Sequence, residues 1–410
     1  MAGIVIVGAG HAGVQLAATL RETGYEGALR LVSADPDIPY HKPPLSKSFM
    51  KTPDASLQLL RAETFYQAND IALDLGRTVA RVDTAACSVV YSDGTAQGYD
   101  QLVLATGTRA RDLPVAGADL SGVHSLRTAQ DARALRKELP QARRAVLIGG
   151  GFIGLEAAAM LKARGLEVDV IELAPGLLGR AVSEPIAQAV AQYLTQMGVR
   201  LHFSETVRAI EGQNGGVSAV RLSSGTLPAD LVLVGVGAVP LVDLARDAGI
   251  ATENGIVVDQ YMKTSAAHVY AIGDCVSFPQ SHLGRRMRLE SVQNATDQAR
   301  ALAQTLTGLP TEYTALPWFW SDIGTVKLQI AGLAPENTER LQAVDTEGRV
   351  KSVYHLKDGK LVACETLNSA GEHMLARRMI ADGFTPPRDC METGDMAALK
   401  QSYMSRTKRG

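Results

Sequence analysis

One constraint appears twice in this chain: a short run of branched apolar residues breaks into a G-x-G-x-x-G turn and then into a small-residue helix pattern. The first copy is Ile4-Val5-Ile6-Val7-Gly8-Ala9-Gly10-His11-Ala12-Gly13. The second is Ala145-Val146-Leu147-Ile148-Gly149-Gly150-Gly151-Phe152-Ile153-Gly154, running on into Leu155-Glu156-Ala157-Ala158. A strand that is apolar without alternation is covered on both faces, as in a parallel sheet flanked by helices. In each copy the first glycine (Gly8, Gly149) permits a tight turn, and the second (Gly10, Gly151) lets backbone approach a pyrophosphate. The third (Gly13, Gly154) lets the helix pack close to the strand. Phosphates would sit on the free N–H groups and positive end of that helix. A single G-x-G-x-x-G is weak evidence, but two in register with strand and helix predict two dinucleotide sites. A pair of dinucleotides suggests a flavin exchanging electrons with a nicotinamide.

At 410 residues the chain is expected to hold about three domains of roughly 150 residues each. A hydrophobic content of 46% supplies ample core and excludes a disordered chain. The net charge of -2 gives no global attraction to nucleic acid or membrane, so any charged docking site must be a local patch. Cys87, Cys275, Cys364 and Cys390 are far apart and the eight histidines are scattered, a spacing that predicts no metal site. The cysteines read as reduced thiols. The chain enters a strand without a basic, apolar leader, and no run approaches the ~18 apolar residues of a membrane span. The expectation is a soluble cytoplasmic protein.

The second strand reads as Ala28–Ser33, with Asp35 the nearby candidate for a ribose-binding carboxylate. Ile38 to Lys47 holds three prolines and reads as a rigid loop, functionally a stiff wall beside a cofactor with Lys47 aimed inward. Ile71 to Val90 alternates like a small antiparallel excursion. Leu102–Leu104 reads as a strand ending in an Ala105-Thr106-Gly107 turn, and Arg127–Leu139 as a helix. In the second nucleotide unit the strand Glu167–Glu172 places Glu172 23 positions after Gly149. A carboxylate there accepts the ribose hydroxyls of NADH and repels the 2′-phosphate of NADPH, with Arg180 the nearby residue that argues otherwise. Leu231–Pro240, including Gly237, closes that unit. Asp274 stands at the end of the strand around Val269–Ala271, where ligands of open α/β sheets bind, and it also reads as an N-cap of a following helix; the two readings can hold together. Glu290–Gly308 reads as a helix. From Trp318 the pattern shifts to strands (Val326–Ile330, Arg349–His355, Leu361–Leu367) and a helix at Glu372–Asp382, which suggests a separate α+β domain.

The stretches GAGHAG, YHKPPLSK, LATGTR, GGGFIGLE, VGVGAVP, YAIGDC, LESVQNA and PWFWSD, in this order, resemble the FAD-containing, NADH-dependent ferredoxin reductases of oxygenase systems, of the putidaredoxin reductase type. The likeness covers nearly the whole chain. It implies a glutathione-reductase-like α/β fold: two Rossmann-like dinucleotide-binding domains plus a C-terminal α+β domain. The FAD domain would comprise residues 1–113 and 248–318, the NAD domain 114–247 and the C-terminal domain 319–410. It also implies hydride transfer from NADH to FAD, then single electrons to a [2Fe-2S] ferredoxin that feeds a monooxygenase or dioxygenase.

Carried over by the same resemblance, Gly8, Gly10, His11, Ala12 and Gly13 would hold FAD pyrophosphate, Ala34 and Asp35 would lie by its adenosine ribose, and Asp274 by its ribityl chain. Lys42, Lys47, Val79, Ala105, Thr106, Gly107, Arg127 and Val292 would also contact FAD, with Pro44 near the isoalloxazine and Trp320 closing its face. Glu156 would pair with Lys47 beside the flavin, and these two form the candidate catalytic pair. Gly149, Gly151, Phe152, Ile153, Gly154, Glu172, Arg180 and Gly237 would hold NAD. Two departures stand out: Ala34, where the family often has an acid, and Ile323, where a glutamine usually follows Trp-Ser-Asp. The segment His41 to Lys47 has no cysteine, unlike the disulfide reductases and the peroxidase relatives of this fold, so electrons must leave directly from the flavin. A transient partner of acidic character would be steered by a local basic patch, with candidates Arg285, Arg286 and Arg288, then Arg377 and Arg378, then Arg406, Lys408 and Arg409. The alternatives are a rubredoxin reductase and an apoptosis-inducing-factor-like redox sensor.

Overall fold

In the computed structural model of the chain, residues 2–52, 54–179 and 181–406 are described. Arg180, Lys408 and Arg409 lie outside the described residues. The chain divides into two compact units. One gathers the chain up to Lys42 with Leu57–Arg109 and Ala238–Ala315, and the other gathers Pro43–Ser56, Ala110–Gly237 and the chain from Leu316 on.

The first unit is built on a five-stranded sheet in the order Val269–Ala271, Gln101–Leu104, Ile4–Val7, Leu29–Ser33, Ile71–Leu75, with every neighbour parallel. The order reverses between Ile4–Val7 and Gln101–Leu104, which is where open α/β sheets bind ligands. Ile4 to Val7 are all buried, as their unbroken apolar pattern requires. Helix His11–Glu22 follows and packs along helix Val292–Leu306. Their buried faces are rich in alanine, including Ala12, Ala17, Ala18, Ala295, Ala299 and Ala303, so the two helices can approach closely. Ile71–Leu75 belongs to this sheet as its edge strand, so it is not part of an antiparallel excursion. The antiparallel piece is Val79–Asp83, Ser88–Tyr91 and Ala96–Gly98.

The second unit repeats the plan. Its parallel sheet has the order Arg200–Phe203, Glu167–Glu172, Arg144–Ile148, Leu231–Val234, Val123–His124, and helix Phe152–Ala163 follows the central strand. The same unit holds a five-stranded antiparallel sheet in the order Trp318–Ile323, Val326–Gly332, Lys360–Leu367, Val350–Lys357, Glu339–Val344. Helices Ala370–Ala381, Arg388–Thr393 and Met396–Arg406 follow it.

A buried acid fastens the first of those helices to the sheet. The Glu372 carboxylate accepts hydroxyl hydrogen bonds from Ser352 (2.5 Å), Ser369 (2.9 Å) and Tyr354, and Lys351 Nζ lies 3.0 Å away. The Tyr354 hydroxyl is held far above its ordinary pKa, first by burial. Removing one partner from a buried, hydrogen-bonded ion pair costs several kcal/mol. Glu372→Ala is therefore expected to destabilise this part of the protein by about 3 kcal/mol. Urea unfolding followed by tryptophan fluorescence reads it directly, because the chain's two tryptophans, Trp318 and Trp320, both lie on the first strand of that sheet.

Candidate functional site

The two glycine turns adopt the same backbone solution. Gly8 has φ +115°, and a Cβ there would stand 2.1 Å from the Ala105 carbonyl oxygen; Gly149 has φ +109° and would meet the Gly235 carbonyl at 2.4 Å. Only glycine fits such a conformation and such an approach. A Cβ on Gly13 would fall 1.9 Å from the Gly8 carbonyl, and one on Gly154 2.5 Å from that of Gly149, so the third glycine sets the helix-to-strand distance in both. Gly10 and Gly151 have nothing within 4 Å of a built Cβ. Both following helices start there with no side-chain cap and no acid in the first turn. Open space faced by uncapped N–H groups and a positive helix end fits a pyrophosphate.

Around the first turn, the Gly273 turn closes in: a Cβ on Gly273 would lie 3.0 Å from Ala12 Cβ, which brings Asp274 to the start of the first helix. The Gly273 N–H donates to Gln298 Oε1 at 2.8 Å. Gln298 donates to Asn294 Oδ1 (3.2 Å), which also accepts the Tyr313 hydroxyl (3.0 Å). Gln298 and Asn294 are fully buried, and sequence reading missed both. Asp274 sits in a 3-10 turn that leads into the strand Val276–Gln280, so the alternative of a helix N-cap falls away.

Asp35 is half-buried and its carboxylate stiffens its own loop, accepting the Asp37 N–H at 3.1 Å and the Tyr40 hydroxyl at 2.7 Å, while Ala34 is exposed. His11 Nε2 lies 3.3 Å from His41 Nδ1, and desolvation, with the Arg61 charge, lowers the His41 pKa. Lys42 Nζ stands 5.7 Å from the Tyr40 ring. The Thr106 hydroxyl donates to the Leu241 carbonyl at 2.7 Å, Gly107 takes φ +69°, Ala105 and Val79 are buried, and Val292 opens its helix half-buried.

At the second turn, the Glu172 carboxylate accepts the N–H of Gly150 and of Ala174, each at 2.7 Å. Ile153 is exposed, the Phe152 ring lies 4.6 Å from that of Phe319, and the Gly237 carbonyl accepts the Arg111 N–H at 3.0 Å.

In the same unit a buried charge cluster forms around Glu156, in the first turns of helix Phe152–Ala163. Lys47 Nζ lies 2.8 Å from Glu156 Oε1, with side chains 22% and 8% exposed. Glu156 also accepts the hydroxyls of Ser46 and Ser321, each at 2.7 Å, and the Asp322 N–H at 3.3 Å. Lys47 follows the 3-10 turn Pro43–Ser46, where its N–H donates to the Pro44 carbonyl at 3.0 Å. Ser46 and Ser321 lie within the stretches YHKPPLSK and PWFWSD, but neither was singled out as a site residue. Along Trp318–Ile323 the side chains alternate: Ser321 and Ile323 are buried, while Trp318 and Trp320 stack at 5.5 Å on the other face. Arg127 is half-buried, its N–H bound to Asp131 at 3.0 Å ahead of the helix Ala129–Glu138.

The basic clusters are less open than their spacing suggests. Arg286 donates to the carbonyls of Val258 (2.6 Å) and Ser277 (2.8 Å). Arg288 is ion-paired to Glu290 at 2.5 Å, Arg406 to Asp382 at 2.6 Å, and Arg377 lies 4.3 Å from the Trp318 ring centre. Among the described residues no helix is long and apolar enough to cross a membrane.

Two uncapped glycine turns of one geometry, with a half-buried lysine held by a buried carboxylate and no cysteine in the His41–Lys47 segment, fit a two-dinucleotide oxidoreductase. The chain belongs to the pyridine nucleotide-disulphide oxidoreductase family, which residues 2–299 match, and residues 318–401 match the reductase C-terminal domain. It is 41% identical over 380 residues to rhodocoxin reductase of Rhodococcus erythropolis (92% of this chain, 89% of the relative). It is 39% identical over 367 residues to a rubredoxin-NAD(+) reductase of Pseudomonas putida (89% and 95%). Its structure is similar to that of the covalent putidaredoxin reductase–putidaredoxin complex, with TM-score 0.94, 35% identity and coverage of 100% and 99%.

The open second glycine separates fold from ligand. Gly10→Ala is expected to leave the stability of the FAD-free protein nearly unchanged and to weaken FAD retention roughly tenfold or more, whereas Gly8→Ala is expected to destabilise the fold by at least ~1 kcal/mol. Thermal unfolding of both apoproteins and FAD titration check the pair.

Proposed function

We propose that this chain is an FAD-containing, NADH-dependent reductase that passes electrons to a [2Fe-2S] ferredoxin serving a monooxygenase or dioxygenase. The observation that carries this reading is the duplicated, uncapped glycine turn together with the Lys47–Glu156 pair in a chain whose His41–Lys47 segment holds no cysteine. Bound FAD supplies the chemistry, taking up a hydride from NADH and giving up electrons singly.

The turn Gly8 to Gly13, with His11 and Ala12, binds the FAD pyrophosphate, and Asp274 orients the ribityl chain from a turn whose Gly273 N–H is held by Gln298. Ala34, Asp35, Lys42, Val79, Ala105, Thr106, Gly107 and Val292 complete the FAD contacts, with Pro44, Arg127 and Trp320 toward the flavin. Gly149, Gly151, Phe152, Ile153, Gly154 and Gly237 bind NADH. Glu172 holds its ribose hydroxyls and disfavours a 2′-phosphate, and Arg180 belongs to the same candidate set. Lys47 places a positive charge beside the flavin, and Glu156 fixes its position and tempers that charge. In this reading the protein supplies positioning and no general acid. The assignment divides the chain into an FAD domain (1–113, 248–318), an NAD domain (114–247) and a C-terminal domain (319–410). Four free cysteines suit a reducing cytoplasm. Docking of the ferredoxin is transient and electrostatic, so its reduction slows as salt rises.

A rubredoxin partner is the second reading, favoured by 39% identity to a rubredoxin reductase. Anaerobic stopped-flow separates them: NADH bleaches the flavin, and then a [2Fe-2S] ferredoxin or a rubredoxin reoxidises it. Fast reoxidation by the ferredoxin alone supports the first reading. Bleaching without transfer to either would leave only the nucleotide sites. In the same experiment Lys47→Ala is expected to slow flavin reduction, and unchanged kinetics would remove its role. Glu172→Ala is expected to reduce the preference for NADH over NADPH by roughly ten- to a hundredfold, read as the ratio of kcat/KM values.

A further inference from the structure

Beyond Glu172 the chain runs through residues 173–182 before entering helix Glu184–Gln196. Arg180 apart, this segment is fastened at three places. At its start Ala174 donates to Glu172 Oε1 (2.7 Å) and its carbonyl accepts the Ser204 N–H at 3.2 Å. In its middle the Leu178 N–H donates to the Gly150 carbonyl at 3.1 Å, and Leu177 Cδ2 lies 2.8 Å from where a Gly150 Cβ would stand. The segment therefore covers the middle of the glycine turn.

The third fastening comes from far along the chain. Ser183, at the far end, donates its N–H to both oxygens of Glu365 (2.9 and 3.0 Å) and its hydroxyl to Oε2. Glu365 is on strand Lys360–Leu367 and is 3% exposed, as is Ser183. His355 Nε2 stands 3.3 Å from Glu365, and its Nδ1 lies 3.1 Å from Thr338 Oγ1. Two features show that this contact is more than packing. A carboxylate this deeply buried is expensive without partners, and a strand core needs no acid. Ser183 is the N-cap of its helix, yet its side chain accepts no hydrogen bond from the helix, the usual role of a serine there. Its hydroxyl is turned outward to Glu365. The same helix is tied again to the turn between strands Trp318–Ile323 and Val326–Gly332, where Tyr193 Oη accepts the Thr325 N–H at 2.8 Å.

We propose that Glu365 is a positioning residue for NADH. By clamping Ser183 it holds the segment behind Glu172 and over Gly150 in its binding geometry before the nucleotide arrives. This rests on the reading of Gly149–Gly154 and Glu172 as the nucleotide site. A segment loose in the free protein must be ordered on binding, and that ordering weakens affinity.

The test uses the FAD-loaded protein and measures NAD+ dissociation constants by calorimetry, together with the NADH dependence of flavin reduction. Glu365→Gln and Ser183→Ala are each expected to raise the NAD+ Kd and the NADH KM roughly three- to tenfold. The limiting reduction rate and the KM for ferredoxin should stay within about twofold. Ser183→Thr, which keeps both donors, is expected to restore wild-type affinity. If Glu365→Gln fails to fold, Ser183→Ala and its threonine counterpart carry the test. An unchanged NAD+ Kd in a folded, FAD-loaded variant would overturn the proposal, as would a uniform loss of FAD, ferredoxin affinity and stability. Glu172→Gln separates the two levels: if it too leaves the Kd unchanged, the nucleotide-site reading has failed, whereas a weakened Kd there with unchanged Glu365 and Ser183 variants sinks the clamp alone.

Discussion

A carboxylate taken out of water must be given partners, and Glu156, like Glu372 and Glu365, is a place where the second unit meets that demand. Its side chain is 8% exposed. It receives an ammonium and a hydroxyl from Lys47 and Ser46, and a hydroxyl and an N–H from Ser321 and Asp322. Those donors come from segments on either side of it in the sequence, so one charge fixes a proline-rich loop and the strand Trp318–Ile323 against the helix Phe152–Ala163. Removing any donor would leave the others around an under-satisfied charge. The alternation along the strand follows from the same contact. With Ser321 turned to Glu156, Ile323 is buried on that side and the two tryptophans are left on the other.

The two glycine turns show how one backbone solution serves two surroundings. In the first, the acid after the second strand, Asp35, is engaged with Tyr40 and the Asp37 N–H, and the exposed Ala34 adds no polar group. In the second, Glu172 reaches back to the Gly150 N–H, so the carboxylate is tied to the turn itself. A close neighbour therefore holds the second acid at the nucleotide turn, and the first acid serves its own loop. The departure at Ile323 lies at a fully buried position, which suits an apolar side chain.

The sequence by itself determined the two glycine turns, the strands that lead into them and the strand-rich C-terminal region. These rest on local physics: unbroken apolar runs, glycines whose positive φ or close approach no other residue allows, and side-chain alternation. It misread Ile71–Leu75 because this edge strand is only partly covered, so its residues mix apolar and polar like those of a half-exposed antiparallel strand. It missed Trp318–Ile323 as a strand because Trp-Phe-Trp puts aromatic groups on both faces and hides the period. Only the tertiary structure decided who the partners are: Ser46 and Ser321 on Glu156, Gln298 on the Gly273 N–H, Glu365 on Ser183. Such pairs are set by distance in space between residues up to 182 positions apart, and no periodicity along the chain records them.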